Sequence, residues 1–407
     1  MDISGKQNIN KYTDVLIYLF LGLAVFTSQF SIATSSIGIG GLLILTVFKF
    51  FISENKPVID KTLLYLFAAF ILVQVISSAV CGNPADSFDH IYRKISIYIV
   101  FFAAIFFIKD INALRKLLLV FIIFSALISS IELVKFLIDY IQAPPKTLSE
   151  FRLQYFGYPI TNGEIKMTIL LIIIPFFLVK KNYLINKVYL ALLSLPVFIT
   201  LYLTNARNAF LALFTSLVVL GMLKNRYFLA GLITVTVLFL AFAPSSAKER
   251  ILSIADLNHP SNHARFVMWD TGIKIIKDNL LLGVGDVDNN MIYKMYKKPE
   301  FHGEGSHMHN NVLQILVNFG IAGLAAWLSL MVYIFYRQVK VFRQTASNEL
   351  LNLLAIISMI VMISLQISGL TEWNFGDAEY AAVFWFGLAL AFLAARFYGT
   401  TGQPDTA

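Results

Sequence analysis

The residues with the clearest capacity for chemistry are arginines and histidines that lie between long apolar runs. Three arginines in such positions are Arg152, Arg207 and Arg265. A planar guanidinium can hold two oxygens of a phosphate group, and a neutral imidazole can take a proton from a hydroxyl. All six histidines also fall between apolar runs: His90, His259, His263, His302, His307 and His309. Gathered on one face, such groups favour group transfer from a phosphate-bearing substrate.

Arg207 lies in the short turn Thr204-Asn205-Ala206-Arg207-Asn208 between two apolar runs. An arginine at a membrane boundary is costly unless it has a partner. We expect Asn208 to cap the following helix, which would put Arg207 beside a helix N-terminus, where an anion is also favoured. The alternative is that Arg207 extends to lipid phosphates, and the local sequence supports both readings.

Arg265 and His309 both belong to the long connection 244 to 311. Phe266, Trp269 and Ile273 recur at helical spacing after Arg265, so we expect Arg265 to open a short amphipathic helix lying on the membrane surface. A cation in a first turn opposes the helix dipole, which indicates another role for it, although solvation of a helix surface is the simpler reading. His309 stands where the chain re-enters the membrane, as a candidate general base or merely a solvated cap.

A metal site is the main alternative for the histidines. His307-Met308-His309, with His302 and Glu304 nearby, offers zinc-type donors. The spacing matches no standard zinc pattern, so we expect no metal and no cofactor. The sequence also has no phosphate-binding P-loop, no dinucleotide fingerprint and no nucleophile elbow, so handling of ATP is not expected.

The composition indicates what kind of secondary structure positions these residues. Of 407 residues, 58% are apolar and 14% are charged, against about 45–50% and about 25% in soluble domains. The chain is therefore predicted to be lipid-embedded helix. Its net charge of +8 then reflects membrane topology rather than nucleic-acid binding. The single Cys81 excludes an intramolecular disulfide.

The fold class expected is an all-α integral membrane protein with a single polytopic domain over residues 1 to 407. Two connections are long, 142 to 165 and 244 to 311, and the longer one is expected to contain short amphipathic helices. Apolar windows predict twelve spans: 14 to 30, 36 to 52, 62 to 80, 94 to 108, 114 to 141, 166 to 180, 187 to 204, 208 to 223, 226 to 243, 312 to 336, 350 to 369 and 380 to 397.

The distribution of cations predicts the orientation of these spans. With the N-terminus in the cytoplasm, the short cytoplasmic connections hold clusters such as Lys180, Lys181 and Lys187, whereas the opposite short connections are nearly free of cations. The turn 371 to 377 before the last span is acidic. By the positive-inside rule, both termini are cytoplasmic and the two long connections lie on the outer side of the membrane.

Three motifs in order resemble those of the bacterial O-antigen ligases and the related O-antigen polymerases. His309-Asn310, nine residues, then Gly320-Ile321-Ala322-Gly323 resembles the family's His-Asn-x9-Gly-x-x-Gly pattern. Thr204 to Arg207 is similar to its Thr-x-Ser-Arg turn, with Ala206 where serine is usual. Arg265 to Trp269, followed by Gly283-Val284-Gly285, resembles its Arg-x3-Trp helix and glycine break, and Arg152 to Pro159 matches less closely.

The resemblance implies a membrane glycosyltransferase that moves a glycan from undecaprenyl diphosphate to a sugar hydroxyl of the lipid A core. It would work among membrane lipids on the periplasmic side of a bacterial inner membrane, with the two long connections in the periplasm. His309 would be the general base, and Arg207 and Arg265 would neutralise the diphosphate. Arg152, Asn310 and Trp269 would bind substrate. The carboxylate that orients His309, if there is one, stays open.

Two other functions remain open on the sequence. A polymerase joining repeat units on the same carrier would share the donor and the arginines. A transporter would need charges inside the spans, for which Glu132 and Lys135, one turn apart and able to pair, are the candidates. The glycines Gly320 and Gly323 would let a neighbouring helix approach closely and hold His309 in place.

Overall fold

A computed structural model describes residues 3–52, 60–144, 151–242, 248, 256, 260–298 and 307–401. No strand occurs in these ranges, and the all-α fold class is confirmed. The helices with described bounds are α1 Ile3–Phe26, α2 Ile32–Ile52, α3 Lys61–Val80, α4 Pro84–Phe107, α5 Ile111–Gln142, α6 Pro159–Ile173, α7 Lys187–Thr204, α8 Arg207–Lys224, α9 Arg226–Phe242, α10 Pro260–Asp278, α11 Asn289–Tyr296, α12 Asn311–Gln344, α13 Glu349–Ser368 and α14 Ala378–Thr401.

Eleven of the described helices are long and apolar enough to cross a membrane, so the chain is a multi-pass membrane protein. The remaining predicted span, α9, is apolar but shorter, with 17 residues. Several helices begin earlier than their apolar windows. Among them, α4 begins at Pro84 rather than at 94, and α6 begins at Pro159 rather than at 166. In both, a proline occupies the first turn, where its missing N–H costs nothing, and polar residues extend the helix.

The centre of the bundle consists of α6, α13 and α14. In each of these spans 83% of the residues of the apolar window are buried. The central helix α14 packs on α13 and α4, while α13 packs on α8. Because the spans alternate in direction, the α7–α8 turn, the start of α12 and the connection between α13 and α14 all lie at one end, here called the site end.

A buried ion pair joins α5 to the central helix α6. Lys166 Nζ lies 2.6 Å from Glu132 Oε2, and both side chains are fully buried. Asn162 Nδ2 donates to the other oxygen of Glu132 at 2.7 Å. The predicted pairing of Glu132 with Lys135 is therefore wrong: Lys135 lies over the ring of Phe156 instead. The predicted span 166 to 180 begins at Lys166, so the apolar pattern does not indicate a charge inside α6.

The helix α12 is kinked at Gly320, and this kink admits a loop. Gly320 has φ 63° and ψ −164°, a conformation open essentially only to glycine. A Cβ there would lie 2.3 Å from the carbonyl oxygen of Leu281. The freed backbone bonds the loop, as Ile321 N donates to Leu280 O at 2.9 Å. The expected role for Gly320 in helix–helix packing is thus wrong: the close neighbour is the loop that follows α10.

Candidate active site

Three side chains on one face of α10 connect the parts of the site. Ser261, Arg265 and Trp269 are four residues apart and so lie above one another on the helix. They contact, in the same order, Arg207 of α8, the backbone of Thr371 and the backbone of Met308. The helix therefore joins the α7–α8 turn, the α13–α14 connection and the start of α12.

Arg207 is the first residue of α8, and its Nη2 donates to Ser261 Oγ. The expectation that it stands beside a helix N-terminus is confirmed. The expected cap is wrong, because the N-cap position is Ala206, which has no side-chain cap bond. Asn208 lies inside the helix and donates instead to Glu164 at 2.7 Å. The helix begins at Arg207, directly after Ala206, whose backbone angles are extended.

Arg265 belongs to the second turn of α10, because the helix begins at Pro260 rather than at Arg265. The prediction that Arg265 is a cation in the first turn, opposing the helix dipole, is therefore wrong. Its Nε donates to the carbonyl oxygen of Thr371 at 3.0 Å. Partial burial lowers the pKa of Arg265, the charge of Glu372 opposes this, and the charge of Arg152 adds to it. The guanidinium nevertheless stays charged at neutral pH, because arginine is not deprotonated in proteins.

The buried face of α10 also differs from the predicted one. Met268, Thr271, Gly272 and Ile275 are buried, whereas Phe266 and Ile273 are 39% and 45% exposed. The helix packs on α12 and on Met308, which lies just before α12, and a Cβ on Gly272 would lie 2.8 Å from the sulfur of Met308. The small residue on this face lets α10 approach α12, and a count of apolar residues alone does not detect it.

Arg152 approaches the site on an extended segment. Leu153 N donates to Leu203 O at 2.9 Å, and Asn205 Nδ2 donates to Phe151 O at 2.5 Å, so the segment lies against the α7–α8 turn. Arg152 itself is exposed, and its charge acts on Arg265. The structure thus brings the three predicted arginines to one region at the site end.

His309 is held by a carboxylate from the α13–α14 connection. Its Nδ1 lies 2.9 Å and 3.0 Å from the two oxygens of Glu372. Burial by itself would raise the pKa of Glu372, but the hydrogen bond and charge of His309, with the charge of His307, lower it overall. A carboxylate on Nδ1 favours the tautomer with the proton there, which leaves Nε2 as a proton acceptor. Among the described residues, no hydrogen bond engages Nε2.

Two non-glycine residues of the described chain have positive φ, Asn205 at 53° and His309 at 45°. Both stand in turns of this site, one beside Arg207 and the other at the base candidate. Such backbone is sparsely populated by residues with a Cβ and clusters at functional sites. Asn tolerates it well, whereas for His309 it must be held by the surrounding contacts.

His307 packs against His309, with ring centroids 4.1 Å apart. Burial, the charge of His309 and more distant cations lower the pKa of His307 to about 4, although Glu372 opposes this. Donor atoms of His307, His309 and Glu372 lie within 4.8 Å of one another, so this trio could hold a metal ion. The charge of Arg265 beside Glu372 opposes a cation there. His302 and Glu304, the other donors considered, lie outside the described residues, as does His259.

Trp269 and Asn310 have defined structural contacts. Trp269 Nε1 donates to Met308 O at 2.9 Å, and its ring packs on Phe266. Asn310 is the N-cap of α12, where Oδ1 accepts from Leu313 N at 3.0 Å and Nδ2 donates to Leu370 O at 2.9 Å. Asn310 rather than His309 caps the helix, so the reading of His309 as a cap is wrong.

Sequence reasoning did not assign Glu372 and Lys94. Glu372 lies in the acidic turn that served only to orient the chain, and no local spacing links it to His309, which is 63 positions away. Lys94 of α4 lies 2.6 Å from Asp286 Oδ2 and over the ring of Trp373. It fixes the loop that contains Gly283 and Gly285 against the α13–α14 connection. The sequence did not reveal this role because Lys94 stands at the first position of the predicted span 94 to 108.

The comparison with known protein families matches the part of the chain that contains most of these site residues. Residues 190–328 match the family described as O-antigen ligase. This stretch includes Arg207, Arg265 and His309. No curated protein matches the chain. The family match supports the resemblance to the O-antigen ligase family over residues 190–328.

Proposed function

We propose that the protein is an O-antigen ligase that transfers a glycan from undecaprenyl diphosphate to a sugar hydroxyl of the lipid A core. The single observation that supports this best is the His309 imidazole, oriented through Nδ1 by Glu372, whose charge also acts on the Arg265 guanidinium. Its other nitrogen is available to accept the proton of an alcohol, while the arginines offer a place for a diphosphate.

The reaction is a direct displacement. The acceptor oxygen attacks the anomeric carbon and its proton moves to His309 Nε2. The bond from that carbon to the diphosphate oxygen breaks, and its electron pair leaves with the diphosphate. Attack from the side opposite the leaving group inverts the anomeric centre. Glu372 stabilises the imidazolium that forms, and general-base catalysis of this kind contributes about 10²- to 10⁴-fold.

The arginines act on the leaving group. Arg207 contacts Ser261, which lies one helical turn from Arg265 on α10, and Arg152 adds charge to the same region. Fixed guanidinium groups stabilise the charge that develops on the diphosphate as the bond breaks. They take the part that a divalent ion has in other diphosphate-using enzymes, so the proposed mechanism needs no metal.

The proposed location of the site is the periplasmic side of a bacterial inner membrane, with both termini in the cytoplasm. The cations of the short connections support this orientation, since Lys180, Lys181 and Lys187 lie at the end opposite the site. The lipid-linked donor would then reach the arginines from the outer leaflet.

Reconstitution of the pure protein in liposomes tests the proposal. The donor is a lipid-diphosphate glycan, and lipid A core competes with a second donor molecule as acceptor. We expect the glycan on lipid A core, with inverted linkage, and the same rate in EDTA. Elongated donor as the product would establish a polymerase instead. Activity lost in EDTA and restored by one metal would replace the arginine mechanism with a metal-dependent one at His307, His309 and Glu372.

A further inference from the structure

A fully buried carboxylate of the central helix α6 lies beneath the site. Glu164 Oε1 accepts from Asn208 Nδ2 at 2.7 Å and from Asn374 Nδ2 at 3.0 Å. Glu164 is completely buried. Burying a carboxylate is costly unless hydrogen bonds compensate for the lost water, so an apolar residue would serve simple packing better.

Asn374 extends the network to a second asparagine. Its Oδ1 accepts from Asn311 Nδ2 at 2.7 Å, and its Nδ2 also donates to Ser368 Oγ at 2.5 Å. Asn311 in turn accepts from Phe375 N at 3.2 Å. Both asparagines are buried, with exposed fractions of 2% for Asn311 and 0% for Asn374. Glu164 and the three asparagines thus form one connected set, here called the asparagine frame.

Each asparagine of the frame is one or two positions from a residue of the site. Asn208 follows Arg207 directly, Asn374 comes two residues after Glu372, and Asn311 comes two residues after His309. These residues belong to three separate chain segments, and Glu164 is on a fourth. The frame therefore connects the donor-binding arginine, the base and the carboxylate that orients the base.

A second, independent observation indicates that α6 fixes the arginine turn closely. A Cβ on Gly163 would lie 2.5 Å from the Cβ of Ala206 and 2.9 Å from Thr204 Oγ1. The small residues Gly163 and Ala206 let the two backbones approach, which brings Glu164 within reach of Asn208.

We propose that Glu164 is a positioning residue that sets the register of Arg207 against the pair His309 and Glu372. The proposal rests on the proposed function for the roles of those three residues. Glu164 acts through Oε1 as a shared acceptor for two amides. Its Oε2 has no hydrogen-bond partner among the described residues. The position of one oxygen therefore matters more than the charge of the carboxylate.

The substitutions Glu164→Gln and Glu164→Asp separate position from charge. Gln keeps an acceptor oxygen at the same reach, whereas Asp keeps the charge but withdraws the oxygen by one methylene. We expect Gln to retain turnover within a few-fold of wild type. We expect Asp to lower kcat by about 10²-fold, since a misplacement of about 1 Å can cost that much. The apparent unfolding temperature in detergent should be similar for the two variants.

The measurements are kcat, donor KM and thermal unfolding of both variants, with Asn374→Ala as a third variant that breaks the frame at another point and should resemble Asp. An inactive, folded Gln variant would overturn the proposal and indicate a role for the charge. An Asp variant with wild-type kcat would overturn it as well. The ranking of Gln over Asp can be read from whichever product the protein forms, so it is independent of the acceptor. Wild-type transfer by His309→Ala would instead refute the proposed function.

Discussion

At the scale of the residue, the proposed mechanism depends on Glu372 holding the Nδ1 side of the His309 ring, so that Nε2 faces the acceptor hydroxyl. Glu372 is the hydrogen-bond partner of Nδ1 and lies 2.9 Å from it. The motif that contains His309 predicted the base, and its structural surroundings agree. The partner could not be predicted, because a single carboxylate in an acidic turn carries no spacing that points to a histidine on another helix.

The substitution Glu372→Gln should reduce turnover strongly. An amide cannot stabilise the imidazolium, and it can bind the wrong tautomer of His309. We expect kcat to fall about 10²- to 10⁴-fold with little change in donor KM, because the arginines remain. Steady-state kinetics in liposomes measure both constants. A kcat close to wild type would remove Glu372 from the mechanism.

His307→Gln is the matched control at the neighbouring ring. Because the pKa of His307 is lowered to about 4, this imidazole is neutral at pH 7 and gains a proton only as the pH falls toward 4. Its replacement should therefore leave the acid limb of the pH–rate profile unchanged above pH 5. A limb that moves by a full pH unit would mean that His307 shares the functional proton.

Arg207→Lys tests the guanidinium geometry. Lysine keeps the charge but loses the planar fork that binds two phosphate oxygens and the reach to Ser261. We expect a loss of about 10²- to 10³-fold in kcat/KM for the donor, comparable to removal of one fixed donor from a charged transition state. Full activity would mean that Arg207 only anchors the turn. Lys187→Arg, at the opposite end, is the control for a change of cation type.

At the scale of the element, the site depends on α10 being clamped between the turn at Arg207 and the kinked start of α12. The sequence predicted that a helix lies here and that glycines follow it. It did not predict where the helix begins, because Pro260 and polar residues extend the helix ahead of its apolar pattern. It also did not predict the kink, because Gly320 within an apolar run reads as a packing residue.

Gly320→Ala should disrupt this clamp. The φ of 63° is strained for alanine, at a cost of about 1–3 kcal/mol. In addition, the new Cβ would lie 2.3 Å from Leu281 O, so the loop must move. We expect a lower unfolding temperature and loss of transfer. Gly231→Ala in α9, where a Cβ meets nothing within 4 Å, is the control and should behave as wild type. Equal behaviour of the two variants would contradict the role of the kink.

At the scale of the whole molecule, the fold places a polar site at one end of a helical bundle with a buried core. Cations are concentrated in the short connections at the opposite end, and the net charge is +8. This distribution predicts that the site end faces away from the cytoplasm. The all-α class, most span positions and the convergence of the arginines with His309 followed from apolar length and motif order. Long-range pairs such as Glu132 with Lys166 could not be predicted in this way, because they depend on which helices become neighbours.

Labelling of single cysteines tests the sidedness. In a Cys81→Ser background, Asp288→Cys at the site end and Lys181→Cys at the other end both replace exposed residues. In intact spheroplasts, an impermeant maleimide should label position 288 and should reach position 181 only after the membrane is permeabilised. The reverse pattern would place the site on the cytoplasmic side and exclude a periplasmic acceptor.

The most direct test of the central claim is transfer by His309→Ala in liposomes, with membrane insertion and thermal unfolding measured on the same preparation. The account predicts a folded, inserted protein that binds the lipid-diphosphate donor and forms product at least about 10²-fold more slowly than wild type. Product formed at the wild-type rate would contradict the assignment of His309 as the base and with it the proposed mechanism.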